Sequence, residues 1–268
     1  MEILLDRTFL KYYNQDLFAN IALRTLFDIT QQEPTSFAKL FETKEILKSQ
    51  QPHNIVLQNA TTHFLLGVSP KQTKEQARER YYLTIKAIKE ANKNVGQIGS
   101  KRIKAGSNVF IGSFNNHLVS ILMRAAKHKR FKVYVIKDEK DKVYSALIKK
   151  LNKNKVEVVE IEWHSLNKVL ANTDICLLGG EILTRKKGVF VNKGGRMIAE
   201  ISQKNNVPVY VCLHTWKYDH KNTAKADLTN QHEYLSKDII TSYICEHGIF
   251  KPDFIIQEAR FHNKMLFT

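Results

Sequence analysis

The sequence predicts an α/β protein: a helical N-terminal domain, residues 1–105, followed by a Rossmann-like, doubly wound parallel sheet, residues 106–268. Three observations carry this expectation. Up to about residue 92 the apolar residues recur at helical spacing. From Asn108 the pattern changes to short apolar runs alternating with helical segments, which requires parallel strands joined by crossover helices. The stretch 174–212 then reads as strand, glycine turn, short hairpin, glycine-rich loop, helix and strand, with its glycines where open α/β sheets bind ligands, outside the carboxyl ends of the strands.

In the N-terminal part, Leu17, Ile21, Ala22, Leu26 and Ile29 form one apolar face. Pro34-Thr35-Ser36 offers a helix start before Phe37, Leu40, Phe41, Ile46 and Leu47. Ile55, Leu57, Ala60, Phe64 and Leu65 mark a third helix, and 67–70 a turn. A long charged helix over 72–92 carries Ala77, Tyr81, Ile85 and Ile88 on one side, with a separate short helix over 95–104. In the second part, 109–111, 131–136, 156–161, 175–178 and 208–213 read as strands. Helices are expected over 117–126, 144–151 and, after Gly194-Gly195, through Met197, Ile198 and Ile201. A helix over 237–246, closed by Gly248 and Pro252, and a last strand at Phe254-Ile255-Ile256 complete the reading.

Composition bounds the rest. The chain of 268 residues is 43% hydrophobic and 25% charged, as in ordinary globular proteins. No run approaches the roughly 20 apolar residues of a membrane span, and MEILLDRTF lacks the basic segment and cleavage site of a secretory signal. The expected setting is cytoplasmic: three cysteines lie far apart with no CxxC pair, which fits reduced thiols. Forty-two basic against 26 acidic residues leave a net charge of +16. That excess is compatible with RNA, an acidic partner or a phosphorylated small molecule, and equally with a solvated lysine-rich surface. The densest basic runs, 127–132 and 149–155, fall at helix ends that precede strands.

Asn192, Lys193, Gly194 and Gly195 form the leading ligand-site candidate. A Gly-Gly pair before a helix leaves backbone N–H groups free to meet an anion, with Lys193 beside them. The alternative is a structural turn with a surface lysine. Glu181, after Gly179-Gly180, has three readings open: facing the pocket, capping a helix, or pairing with a lysine. Ser113 follows the first strand, where a hydroxyl binds phosphate or caps a helix. His117, His164, His214 and His220 lack metal-ligand spacing with cysteines, so no metal is expected. Cys176 and Cys212 read as core residues, and Cys245 as a helical neighbour of Glu246. No GxGxxG fingerprint is present, so no dinucleotide cofactor is expected.

Three ordered segments, IGSKRIKAGSNVFIGSFNN (98–116), DICLLGGEILTRKKGVFVNKGG (174–195) and KDIITSYICEHGIFKP (237–252), resemble a known family. It contains the alpha, beta and delta subunits of translation initiation factor 2B, their archaeal counterparts, and the ribose-1,5-bisphosphate and methylthioribose-1-phosphate isomerases. The resemblance implies the same two-domain fold, dimers or heteromers formed through the Rossmann-like domain, and initiation factor 2 as a partner. It also implies a sugar-phosphate or nucleotide pocket at Ser113, Glu181, Asn192, Lys193, Gly194 and Gly195. The isomerases place a cysteine where this chain has Ser113, and an aspartate in a GAD motif where it has Gly179-Gly180-Glu181. A Glu-x-Arg-Pro motif is replaced by Lys137-Asp138-Glu139-Lys140, and an Arg-Pro-Thr motif by Gln51-Pro52-His53. Asn192, Lys193 and Gly195 match. A serine hydroxyl cannot replace a thiol without an adjacent base, and a glutamate moves the carboxylate by one methylene, a scale at which about 1 Å costs on the order of 100-fold in rate. The resemblance therefore implies a non-catalytic factor-2B-like subunit, with an aldose–ketose isomerase of a ribose-1-phosphate type sugar, an intramolecular oxidoreductase, as the alternative.

Overall fold

A computed structural model describes residues 15–32, 36–66, 68, 74–112, 115–138, 142–223 and 232–262. Ser113, Glu139, Lys140, Pro34, Thr35 and most of the expected turn at 67–70 lie outside them. The chain divides into two compact units, residues 1–90 with 260–268, and residues 91–259.

The first unit is helical. Helix α1, Gln15–Thr30, buries Ala19, Ala22, Leu23, Leu26, Phe27 and Ile29. These recur at three- and four-residue spacing and pack on α3, Ile55–Leu65, through its buried Val56, Leu57, Ala60 and Phe64. Asn54 starts α3: its Oδ1 accepts from the Leu57 N–H at 2.9 Å and its Nδ2 donates to the Gln15 carbonyl at 3.1 Å. One side chain thus caps one helix and ties it to another. Between them α2, Phe37–Gln50, is capped by Ser36, as its sequence predicts, but buries only Leu40. Phe41 and Ile46, expected on its apolar face, are about half exposed. Tyr81, on α4 (Lys74–Ser100), stacks on Phe27 with ring centroids 4.6 Å apart.

Helix α4 runs unbroken to Ser100, so the separate helix expected over 95–104 does not form. Gly96 and Gly99 explain the sequence signal: a Cβ at either would overlap Ser120 or Ile121 of the following helix, so they permit close helix packing and do not end α4.

The second unit carries a sheet in the order β3-β2-β1-β4-β6-β8-β9. The strands are β1 Asn108–Ile111, β2 Lys132–Ile136, β3 Glu157–Ile161, β4 Ile175–Leu183, β6 Val209–Cys212, β8 Ser242–Cys245 and β9 Gly248–Phe250. All neighbours pair in parallel except β8 with β9. Strand β5, Val189–Asn192, and β7, His232–Leu235, form an antiparallel branch off the end of β4. Crossover helices α5 (Asn116–Ala125), α6 (Lys142–Lys153), α7 (Leu166–Leu170) and α8 (Gly195–Lys204) cover the sheet, and α9 (Ile255–His262) follows β9. Leu118, Ile121 and Leu122 of α5 are fully buried with Val109, Ile111, Val133 and Leu177, each burial contributing about 1.5–3 kcal/mol.

Three expectations need correction. Strand β4 does not stop at Gly179-Gly180; it continues to Leu183 through a register shift between Gly180 and Ile182, its outer half pairing with β5. The expected helix over 237–246 is a short 3₁₀ turn, Lys237–Ile239, followed by strand β8. Cys245 therefore sits on a strand, not a helix. Ile239, Ile240, Tyr243 and Ile244 fit a helical face in sequence. Pairing with β6 and the bonds between Thr241 and Val209 (Val209 N–H to Oγ1 and Thr241 N–H to carbonyl, both 2.9 Å) settle the segment as extended. The last expected strand is instead helix α9, which buries Ile255, Ile256 and Ala259 along one side.

Candidate functional site at the strand ends

The strand order reverses between β1 and β4: β2 and β3 lie on one side, β6 and β8 on the other. At such a switch point the connections leave in opposite directions and open a crevice beyond the carboxyl ends of the strands. The chain after β1 turns into α5 through Asn115, whose Oδ1 accepts from the Leu118 N–H at 2.9 Å and caps the helix. Its amide lies against Gly179 of β4, where any Cβ would overlap it. Asn115 is only 8% exposed, and its Nδ2 has no hydrogen-bond partner among the described residues. A buried donor without an acceptor costs about 1–3 kcal/mol, so this is a place where a ligand's acceptor would be welcome.

Two residues along β4 from Gly179 stands Glu181. Its Oε2 accepts from Lys217 Nζ at 2.9 Å, and the same ammonium donates to the Gly180 carbonyl at 2.9 Å, beside the register shift. The two side chains are 13% and 6% exposed. Lysine is almost never buried unless paired, and here Lys217 is paired with Glu181 on the outer half of β4. Of the readings open for Glu181, the structure shows the lysine pair. Lys217 closes a 3₁₀ turn, Thr215–Lys217, after β6. That turn is itself anchored: buried Glu246, just past β8, accepts from the Thr215 N–H at 3.0 and 2.9 Å and from its hydroxyl at 2.6 Å. His117 of α5 and His214 beside the turn are both buried, their rings meeting edge to face with centroids 5.0 Å apart.

The second group lies on the β5–α8 connection. Pairing sets Val191 opposite Gly180, so partly buried Asn192 follows at the strand end and exposed Lys193 begins the turn. Gly194 caps α8 with φ +87°, and a Cβ there would lie 2.5 Å from the Trp163 ring. Only glycine combines that dihedral with that contact. Gly195 is buried against Val191. The helix N-terminus does attract an anion, as its position predicts, and the chain supplies one: Glu233 of β7 accepts from the Arg196 N–H at 3.2 Å. The strand pairing brings Asn192 next to the outer half of β4.

The sequence reading missed Asn115, Lys217, Glu233 and Glu246. For Lys217 a signal existed: a lysine set between aromatics, Trp216 and Tyr218, just past an apolar strand. The three thiols lie within strands: Cys176 on β4, Cys212 on β6 and Cys245 on β8, all buried. Burial pushes the Cys176 and Cys245 thiols up to about 12 and Cys212 further still. None presents a thiolate at the strand ends. Among the described residues, no group of three or more His, Cys, Asp or Glu is placed to hold a metal ion, and no helix is long and apolar enough to cross a membrane.

Fold and site together define an α/β protein of the doubly wound class, with polar groups gathered at the switch point and a separate helical unit that precedes the sheet in the chain. Residues 18–236 match the model of the Initiation factor 2 subunit family, and the chain belongs to it. A putative translation initiation factor eIF-2B subunit 2-like protein of Pyrococcus furiosus is 31% identical over 143 residues, 53% of this chain and 51% of the relative. A ribose 1,5-bisphosphate isomerase of Methanocaldococcus jannaschii is 26% identical over 203 residues, 75% of this chain and 65% of the relative. The chain thus spans about half to two thirds of the length of these relatives. In the tetrameric eIF2B-beta2-delta2 complex from C. thermophilum a chain superimposes with a TM-score of 0.79 at 17% identity, covering 94% of this chain and 92% of that one.

Proposed function

We propose that this chain is a non-catalytic, ligand-binding member of the family, acting as a subunit in a homomeric or heteromeric assembly and regulating initiation factor 2. The ligand is a phosphorylated sugar or nucleotide held at the switch point. The observation that carries the reading is the buried Asn115 amide with its unsatisfied donor against Gly179, next to a carboxylate already neutralised by Lys217. Such an arrangement offers hydrogen bonds to a ligand but no thiol, and its carboxylate must leave an ion pair before it can accept a proton. The names of the Pyrococcus relative and of the superimposed complex support the subunit role. Lys193 and the Gly194-Gly195 turn would take a phosphate, which would displace Glu233 from the helix.

The isomerase reading rests on two points: Glu181 stands on the outer half of β4, beyond its parallel pairing with β6, and an isomerase relative aligns over 75% of the chain. One experiment separates the two readings. The protein is melted with ribose-1,5-bisphosphate, methylthioribose-1-phosphate, AMP, GMP, GDP or inorganic phosphate, and any stabilising sugar phosphate is then assayed for turnover. A ligand at 100 times its Kd stabilises by about 2.7 kcal/mol. Stabilisation without turnover, lost in Asn115→Ala, is the expected result. Turnover that disappears in Glu181→Gln establishes the isomerase. A pull-down with initiation factor 2 at physiological salt tests the partner, and failure to retain it sinks that part of the proposal.

A further inference from the structure

Three stretches far apart in the chain, 97–104, 120–132 and 149–156, hold twelve lysines and arginines and no aspartate or glutamate. Each leads into one of the adjacent parallel strands β1, β2 and β3. The fold therefore collects them at a single end of the sheet, the amino end, opposite the switch-point crevice. Three of the twelve have internal partners. Lys129 Nζ donates to the Ser100 and Ile103 carbonyls past α4, Arg102 lies over the Tyr210 ring and bonds its hydroxyl, and Lys132 pairs with Glu157. The other nine have no carboxylate partner among the described residues.

The surface there is shaped. Because Gly96 and Gly99 let α4 lie close on α5, a cleft of about 510 Å³ forms between them, lined by Gln97, Ser100, Lys101, Arg124 and Lys127. A second cleft of about 540 Å³ on the other side of α5 is lined by Arg124, Lys127, Lys153, Asn154 and Lys155. Arg124 and Lys127 line both, so the two clefts lie side by side on α5 as the two lobes of one basic groove, with these cations between them.

We propose that this groove binds double-stranded RNA through its phosphate backbone, without reading sequence. Mutual repulsion of so many unpaired cations is relieved by a polyanion with regularly repeated charge. An acidic protein is less suited, since protein interfaces rely on buried aromatic and apolar anchors, and the large exposed apolar residues of this unit, Trp163, Met197, Tyr234 and Phe254, lie outside the groove. No Phe, Tyr or Trp lines either cleft, and the exposed His128 of the first offers a single ring, too few for the successive stacking that unpaired bases use. Gln97, Ser100 and Asn154, interleaved with the cations, match the 2′-hydroxyls that the shallow minor groove of an RNA helix displays between its phosphates.

The test measures fluorescence anisotropy of a labelled 20-base-pair RNA duplex with the full chain, a DNA duplex of the same sequence, and polyglutamate as competitor. Six cations line the groove; Lys129 is held by the Ser100 and Ile103 carbonyls, which leaves Lys101, Arg124, Lys127, Lys153 and Lys155 to meet five phosphates. At a slope of about −0.9 per neutralised phosphate, affinity should fall about 500-fold between 50 and 200 mM salt. The variant with Lys127→Gln, Lys153→Gln and Lys155→Gln should lower that slope by about three and weaken binding at least tenfold. The control with Lys39→Gln, Lys89→Gln and Lys93→Gln, exposed lysines with the same charge change, should bind as the parent does. Equal losses in both variants would show a diffuse charge effect and overturn the groove. DNA bound as tightly as RNA would overturn the RNA assignment, and displacement by polyglutamate at equal charge would make the partner an acidic protein.

Discussion

Replacing Lys217 by methionine removes the ammonium that pairs with Glu181 on the outer half of β4 while keeping most of the side-chain volume. Glu181, 13% exposed, would then lose its bond to that ammonium, and the Gly180 carbonyl would lose a donor. Breaking a buried pair from one side costs about 3–5 kcal/mol, whereas replacing both members by apolar groups is often near neutral. The expected order of stability is therefore Lys217→Met far below the parent, with Lys217→Met/Glu181→Leu recovering most of the loss. Both tryptophans, Trp163 and Trp216, lie in the second unit, so intrinsic fluorescence during urea unfolding reports on the unit that holds the pair. With a urea slope of about 2 kcal/mol per M, the single variant should unfold about 1.5–2.5 M earlier with an unchanged slope. A midpoint shift below about 0.5 M, or a double variant no better than the single, would refute the claim that Lys217 and Glu181 neutralise each other in a buried setting.

Further predictions follow the same logic. Burial, then the nearby Arg80 charge, pulls the His63 imidazole down to about 4, and its Nδ1 lies 2.9 Å from Thr84 Oγ1. Between about 4 and the ordinary value of 6.5 the unfolded chain binds the extra proton, so the contribution of neutral His63 is complete above 6.5 and lost as pH falls towards 4. Proton NMR should find His63 still neutral at pH 5.5, and His63→Gln should flatten part of the acid-side loss of stability. The three buried thiols should resist DTNB at pH 8 in the native protein and all react after denaturation; a rapidly reacting native thiol would contradict their placement. Gly179→Ala should force the Asn115 side chain from its cap, lowering stability by about 0.5–2 kcal/mol and abolishing any thermal shift by a sugar phosphate.

The sequence made β1, the first half of β4 and β6 plain, because each is a short apolar run buried on both faces, whereas β3 at the sheet edge keeps Glu157 and Glu160 exposed. The Asn192–Gly195 turn was equally visible, since a left-handed dihedral demands glycine and announces itself locally. What sequence could not show depends on partners distant in the chain. Glu181 and Lys217 are 36 residues apart, and Thr215 and Glu246 are 31 apart. β8 is a strand only because β6 lies beside it; alone, its Ile239-Ile240 and Tyr243-Ile244 pairs fit a helix as well. Strand β7, with His232, Glu233 and Tyr234 only partly covered or exposed, has no apolar run to mark it.

That inconspicuous strand has a consequence for the proposed ligand site. By setting Glu233 on the first turn of α8, it gives the anion-binding end of the helix a tethered rival to every incoming phosphate. A tethered group acts at an effective concentration on the order of millimolar or more, so simple anions at lower concentration are held off. Only a ligand that gains contacts elsewhere, such as an acceptor for the Asn115 amide, can win the position. If the proposed site is real, the helix end would work as a threshold, closed to the background of small anions and open to a molecule that reaches across the strand ends.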